Sequence, residues 1–115
     1  MNHKDLDLWN VSIELATDIY GFTSSFPPEE KFGLTAQMKS AAVSIASNIA
    51  EGAARGTNRE FVRFLNIAAG SASELDTQLE IVFRIGFGDN GTMESVRGKL
   101  DRVVRMIQGL IKSLR

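Results

Sequence analysis

Residues 57–86 read TNREFVRFLNIAAGSASELDTQLEIVFRIG and contain no proline. Thr57 and Glu60 have the spacing of a capping box, in which each side chain accepts a hydrogen bond from the backbone N–H of the other residue. Apolar residues then recur at steps of three and four, which is typical of one face of an α-helix. These residues are Phe61, Phe64, Leu65, Ala68, Ala72, Leu75, Leu79, Val82 and Phe83. We therefore predict that a helix covers 58–86 and buries this stripe.

Three clusters of turn-forming residues divide the chain around this helix. They read SSFPP at 24–28, RGTN at 55–58 and GFGDNG at 86–91. In each segment between them, apolar residues again recur with helical spacing. The pattern predicts four helices, at about residues 5–23, 34–54, 58–86 and 92–114.

The fold class follows from these four segments. Apolar and polar residues do not alternate strictly in any of them, so nothing predicts a β-sheet. A chain of 115 residues suits one hydrophobic core, and helices joined by short connections pack antiparallel to one another. We predict an all-α fold, an antiparallel up-down-up-down four-helix bundle, with residues 1–115 as a single domain.

The second predicted helix has unusually small side chains. Most of its residues outside the apolar stripe are alanine or serine, as in the run SAAVSIASNIA at 40–50. The distance between packed helices depends on the side chains at their contact. Small residues therefore allow other helices to approach this helix closely on more than one side. We predict that this helix faces both its own bundle and a neighbouring subunit of a homo-oligomer.

Composition excludes several classes of protein. The chain is 43% hydrophobic and 23% charged, as in ordinary globular domains, and it has no apolar run long enough to span a membrane. It has no cysteine, so it cannot form disulfides. We expect a cytoplasmic protein that does not interact with membranes.

The residues needed for most catalytic chemistry are scarce. His3 is the one histidine, and no cysteine is present, whereas zinc sites and activated nucleophiles depend on these side chains. The Glu-x-x-His pairs of di-iron bundles are also missing. We predict no catalytic residues, no metal site and no cofactor, and hence a protein that is not an enzyme.

Polar residues form lines on the two middle helices. They are Gln37, Ser44, Asn48 and Glu51 on the second helix and Ser71, Glu74, Thr77 and Gln78 on the third. Polar groups beside an apolar stripe are costly if they are buried without partners. We predict hydrogen bonds between the two helices or between subunits, and a binding site as the alternative.

Basic residues cluster near the break between the second and third helices. Lys39 lies on the second helix, Arg55 ends it, and Arg59 and Arg63 lie one turn apart at the start of the third. Arginines near a helix N-terminus are well placed to bind phosphate. The competing interpretation is an ordinary ion pair between Arg55 and Glu51, four residues earlier.

The segment QMKSAAVSIASNIAEG at 37–52 resembles the 23S ribosomal RNA intervening-sequence proteins, also called the four-helix bundle protein family. Leu8-Trp9, FGL at 32–34 and GSASELDTQL at 70–79 extend the similarity over about 110 of the 115 residues. The resemblance implies a bundle that assembles as a ring, typically a homopentamer, without enzymatic activity. The chain is also similar to the accessory protein of diversity-generating retroelements, which implies binding to nucleic acid and to a protein partner.

Two functional hypotheses result. The first is a homo-oligomer that binds structured RNA or DNA through Lys39, Arg55, Arg59 and Arg63. The second is a scaffold that binds another protein through the small-residue face of the second helix or through the basic fourth helix. From 94 to 115 the chain has six basic residues against two acidic ones, which gives the fourth helix its charge.

Overall fold

A computed structural model of the chain describes residues 2–115. These residues form four α-helices: α1 (Asp7–Thr23), α2 (Leu34–Ala54), α3 (Asn58–Ile85) and α4 (Asn90–Leu114). Two short 3-10 helices lie at His3–Asp5 and Pro28–Glu30, and residues 2–115 contain no β-strand. The prediction of an all-α fold with four helices is confirmed.

The ends of α3 follow from local hydrogen bonds. The Thr57 hydroxyl accepts from the Glu60 backbone N–H at 3.2 Å, as expected for an N-cap residue. Gly86 has a φ of 81° and donates its N–H to the Val82 carbonyl, a left-handed conformation that glycine adopts without steric cost. The cap and the glycine therefore fix both ends of the longest helix.

Two helices begin at positions that differ from the expected ones. α4 begins at Asn90 rather than near 92, because the Asp89 carboxylate accepts hydrogen bonds from the Thr92 backbone N–H at 2.8 Å and from its hydroxyl at 2.7 Å. α1 begins at Asp7 rather than near 5, because Leu6 is extended and separates it from the preceding 3-10 helix.

Each long helix packs against two others. α1 contacts α2 and α4, and α3 contacts α2 and α4. This arrangement is a four-helix bundle measuring 43 × 23 × 20 Å. Its core is one contiguous cluster, in which the largest side chains with under 2% exposure are Leu15, Ile19, Met38, Ile45, Ile49, Leu65, Leu75, Leu79, Val82, Val96, Val103 and Ile107. Within residues 2–115, no helix is long and apolar enough to cross a membrane.

Some apolar residues of the predicted stripes lie outside the core. Phe83 is 55% exposed, although its spacing assigned it to the buried face of α3. Tyr20 on α1 is 50% exposed as well. Phe83 instead lies under the Arg97 guanidinium, 5.5 Å from its ring centroid. Two neighbouring helices cover only part of the circumference of a helix. The residues at the edges of a wide apolar stripe therefore remain exposed to solvent.

Helices α2 and α3 lie very close to each other at Gly52. A Cβ atom at this position would lie 2.8 Å from the Phe64 Cβ and 3.0 Å from the Phe61 Cδ1, and both distances are too short for carbon atoms that are not bonded. Only glycine allows this helix packing without displacement of the two phenylalanines.

Gly52→Ala is therefore expected to lower the free energy of unfolding by about 1–3 kcal/mol, the usual cost of overpacking a core. The matched control is Gly98→Ala, since Gly98 lies inside α4 with no atom within 4 Å of its Cβ position. The control should raise the free energy of unfolding by up to about 1 kcal/mol through helix propensity. Urea unfolding followed by circular dichroism measures both, and equal stability of the two variants would contradict the close approach.

Candidate functional site

Three of the polar residues predicted between α2 and α3 meet across the two helices. The hydroxyls of Ser44 and Ser71 are hydrogen-bonded at 2.8 Å. Asn48 donates its side-chain amide to the Ser44 carbonyl at 2.8 Å and to the Ser44 hydroxyl at 3.0 Å. These three half-buried residues form a hydrogen-bonded link between the helices.

The polar residues of the last turns of α3 bond within their own helix. Gln78 is 5% exposed and donates its amide to a Glu74 carboxylate oxygen at 3.3 Å, while its own carbonyl oxygen is buried without a partner among residues 2–115. Thr77 donates to the Ser73 carbonyl at 2.9 Å. These contacts run along α3 and do not join it to α2.

The other two members of the predicted polar set lie at the surface of α2. Gln37 is exposed, and Glu51 is ion-paired to Arg55 at 3.0 Å. The eight residues therefore do not form one network. The spacing of polar residues along one helix does not show which of them contact the neighbouring helix.

The arginines at the break between α2 and α3 gather around one aromatic ring. The guanidinium carbons of Arg55 and Arg63 lie 4.9 and 4.5 Å from the Phe64 ring centroid, within the range of cation–π attraction. Arg55 ends α2 and Arg63 lies on α3, so the turn between the helices brings the two cations to the same ring. Phe64 was assigned to the core by its spacing, and its contact with both arginines had no signal in the sequence.

Ion pairs hold two of these arginines. Arg63 Nε lies 2.9 Å from Glu60 Oε2, and this hydrogen bond holds the pKa of the Glu60 carboxyl below its usual range. Arg55 is paired to Glu51. Arg59 is exposed and has no ion pair with any residue from 2 to 115. The arginine cluster, Arg55, Arg59 and Arg63, therefore combines two fixed guanidinium groups with one unpaired group.

Lys39 lies apart from this cluster. It precedes Arg55 by sixteen residues on α2, which at a rise of 1.5 Å per residue is about 24 Å along the helix. Its ammonium group lies 4.6 Å from the centroid of the Tyr20 ring on α1. The structure brings together three of the four predicted basic residues.

A polar groove lies between the end of α1 and the start of α4. Asp18, Asp89 and Lys99 are among its lining residues, and Lys99 Nζ lies 2.6 Å from Asp18 Oδ2. Hydrogen bonds from the Thr92 side chain and backbone hold the pKa of the Asp89 carboxyl below its usual range. The negative charge of these carboxylates opposes the binding of a phosphate group here.

Two further observations concern the acidic residues of the chain. Residues 2–115 contain no group of three or more histidine, cysteine, aspartate or glutamate residues arranged to hold a metal ion. The pKa of the Glu80 carboxyl is lowered by hydrogen bonds from Arg84 and Arg97. A lowered pKa keeps a surface carboxylate ionised, whereas a general acid at neutral pH needs a raised one.

The hydrogen bond between Ser44 and Ser71 predicts an energetic coupling. In a double-mutant cycle with Ser44→Ala and Ser71→Ala, we expect a coupling free energy of about 0.5–1.5 kcal/mol, the usual range for a hydrogen bond. Thr77→Ala is the control in place of Ser71→Ala, because Thr77 bonds to its own helix. A coupling as small as that of the control would contradict the link between α2 and α3. Urea unfolding supplies all the free energies.

Comparison with known structures agrees with this fold. A crystal structure from Bacteroides thetaiotaomicron, described as a protein with unknown function from the S23 ribosomal protein family, superposes with a TM-score of 0.84. The alignment covers 97% of this chain and 99% of that one, at 23% sequence identity. At this identity the similarity establishes the fold alone.

Sequence comparison establishes the family. No curated protein is significantly similar to the chain. The sequence pattern of the 23S rRNA-intervening sequence proteins, however, matches residues 4–109, which includes α1, α2, α3 and most of α4. The protein is a member of the 23S rRNA-intervening sequence protein family.

Proposed function

We propose that this protein is a non-catalytic homo-oligomer that binds structured RNA or DNA through the arginine cluster. The observation that carries the proposal is the convergence of Arg55 and Arg63 on Phe64 beside the unpaired Arg59. Guanidinium groups bind phosphate through paired N–H donors. Phosphate contacts supply most of the affinity of nucleic-acid binding proteins.

The charge of one subunit is small. Glu51 and Glu60 oppose the three arginines, so the formal charge of the cluster and its partners is +1. The whole chain has a net charge of −1. Repetition of the cluster around a symmetric ring would give a basic surface with several phosphate contacts. The proposal therefore depends on assembly.

We propose that the helices run antiparallel, up-down-up-down, within each subunit. Ser44 on α2 bonds to Ser71 on α3, whereas Gly52, further along α2, lies against Phe61 and Phe64, further back along α3. This opposite order of contacts supports the arrangement.

Two apolar surfaces support assembly into a ring. The first, on α1 and α2, has the exposed residues Ile13, Tyr20 and Val43; the second, on α3, has Ile67, Ile81 and Ile85. Because these surfaces differ, contact between the first surface of one subunit and the second surface of the next is heterologous, and such contacts form a ring when the rotation from subunit to subunit closes. The family resemblance suggests five subunits.

A protein-binding scaffold is the second candidate function. Phe32 lies between the 3-10 helix at 28–30 and α2, and its side chain is 88% exposed. Exposed aromatic residues commonly anchor protein interfaces. Arg102, Arg105 and Lys112 on α4 are exposed as well and would suit an acidic partner.

Assembly is tested by light scattering coupled to size exclusion. We expect a mass of about five times the 12.6 kDa of one chain, and we expect Tyr20→Asp and Ile81→Asp each to yield smaller species, because a carboxylate is costly to bury in an apolar contact. Gln108→Asp is the control, since Gln108 is exposed on α4 outside both surfaces. A monomeric wild-type protein would remove the ring and the repeated charge that depends on it.

Nucleic-acid binding is tested by fluorescence anisotropy with a hairpin RNA at several salt concentrations. Replacing Arg55, Arg59 and Arg63 by glutamine should weaken binding, and the slope of log affinity against log salt should fall by about 0.9 for each phosphate group that the variant no longer neutralises. Arg84→Gln is the control, because Arg84 is an exposed, ion-paired arginine near the other end of α3. Absence of wild-type binding at low salt would refute the proposed function.

A further inference from the structure

Two adjoining cavities open beside the arginine cluster. One, of about 620 Å³, lies along the first turns of α3, where Thr57, Arg59, Val62 and Arg63 are among its lining residues. The other, of about 320 Å³, lies between the start of α3 and the end of α4. Arg59 and Val62 line both cavities, and we call the two cavities together the end groove.

The part of the end groove between the helices has apolar and basic lining residues. Val62 and Leu114 supply the apolar side chains, and Arg59 and Arg115 supply the basic ones. Both apolar residues are half-buried, whereas both arginines are exposed. Neither arginine forms an ion pair with any residue from 2 to 115. The groove therefore offers an apolar surface next to two arginines without ion pairs, with the Glu60 carboxylate also in its lining.

Contacts on both sides of the groove hold its shape. The Asn58 side-chain amide lies 3.5 Å from the Leu114 carbonyl oxygen, which joins the start of α3 to the end of α4. On the other side, Arg63 is fixed by Glu60 at 2.9 Å and by the ring of Phe64. A groove that is formed before binding loses less entropy when its ligand enters.

We propose that the end groove binds an unpaired nucleotide of a nucleic-acid strand, with the base against Val62 and Leu114 and the flanking phosphates at Arg59 and Arg115. This inference rests on the proposed function and specifies its ligand. The charge of the groove complements phosphate, and guanidinium planes also stack on bases.

A continuous duplex does not match this groove. In a duplex the flat faces of the bases are stacked on one another, so a protein reaches phosphates, sugars and base edges. An unpaired nucleotide in a loop, a bulge or a strand end exposes a base face that can lie on an apolar surface. Contact with Val62 and Leu114 is therefore available to an unpaired nucleotide but not to the interior base pairs of a duplex, while the arginine cluster can hold the phosphates of either form.

The test compares two probes by fluorescence anisotropy: a single-stranded RNA of about ten nucleotides and a fully paired RNA duplex of the same sequence. The full-length protein is used with Val62→Asn, which removes the apolar side chain and leaves the charge unchanged. We expect binding of the single strand to weaken up to about tenfold, because the base loses its apolar contact with the valine side chain, and binding of the duplex to stay unchanged. Val104→Asn is the matched control, because Val104 is a half-buried valine on α4.

A second variant keeps the test valid if Val62→Asn fails to fold. Arg115→Gln changes an exposed side chain. It should lower the affinity for the single strand more than the affinity for the duplex. The nucleotide site would be overturned if Val62→Asn and Arg115→Gln each lowered the affinity for both probes equally, or if neither variant lowered it. Duplex binding by the arginine cluster would still stand. If the wild-type protein binds neither probe at low salt, the proposed function and this inference both fail.

Discussion

The close approach of α2 and α3 at Gly52 is the contact on which the remaining features depend. A side chain at residue 52 would collide with Phe61 and Phe64, so the absence of a Cβ atom lets Phe64 pack directly against the end of α2. Phe64 is consequently 7% exposed, yet its ring remains accessible to the guanidinium groups of Arg55 and Arg63. The packing of one glycine thus sets the geometry of the cations at this end of the bundle.

The same pair of helices is linked a second time through polar groups. Ser44, Ser71 and Asn48 bond to one another in a half-buried position, where a hydroxyl without a partner would destabilise the fold. These bonds require particular residues to lie opposite each other, in addition to the fit of the apolar side chains. The polar contact and the glycine contact together define how α2 lies on α3.

The surface of the bundle carries both exposed apolar residues and a cluster of arginines. Exposed isoleucines lie on α3, and Ile13, Tyr20 and Val43 lie on α1 and α2, while the arginines gather at the start of α3. An apolar patch favours contact with another protein surface, and a basic patch favours phosphate. In the proposed ring, the two kinds of surface would therefore act at different places, the first in assembly and the second in binding.

The sequence by itself determined the number of helices, the all-α class and the cap at Thr57. Capping bonds and helical periodicity act over a few residues, and the Thr57–Glu60 spacing and the glycine at 86 are visible in the chain. Sequence pattern also identified Arg55, Arg59 and Arg63 as basic residues near a helix start, and the family resemblance agrees with the match to residues 4–109.

Only the tertiary structure decided which of these residues meet. It separated Lys39 from the arginines, placed Phe64 between two of them, exposed Phe83, and brought Leu114 and Arg115 next to Arg59 and Val62. Periodicity specifies the direction of a side chain around its own helix, but contacts between helices depend on register and on the distance of approach. Those quantities are set by the packing of all four helices at once, at positions such as Gly52 that no local pattern distinguishes.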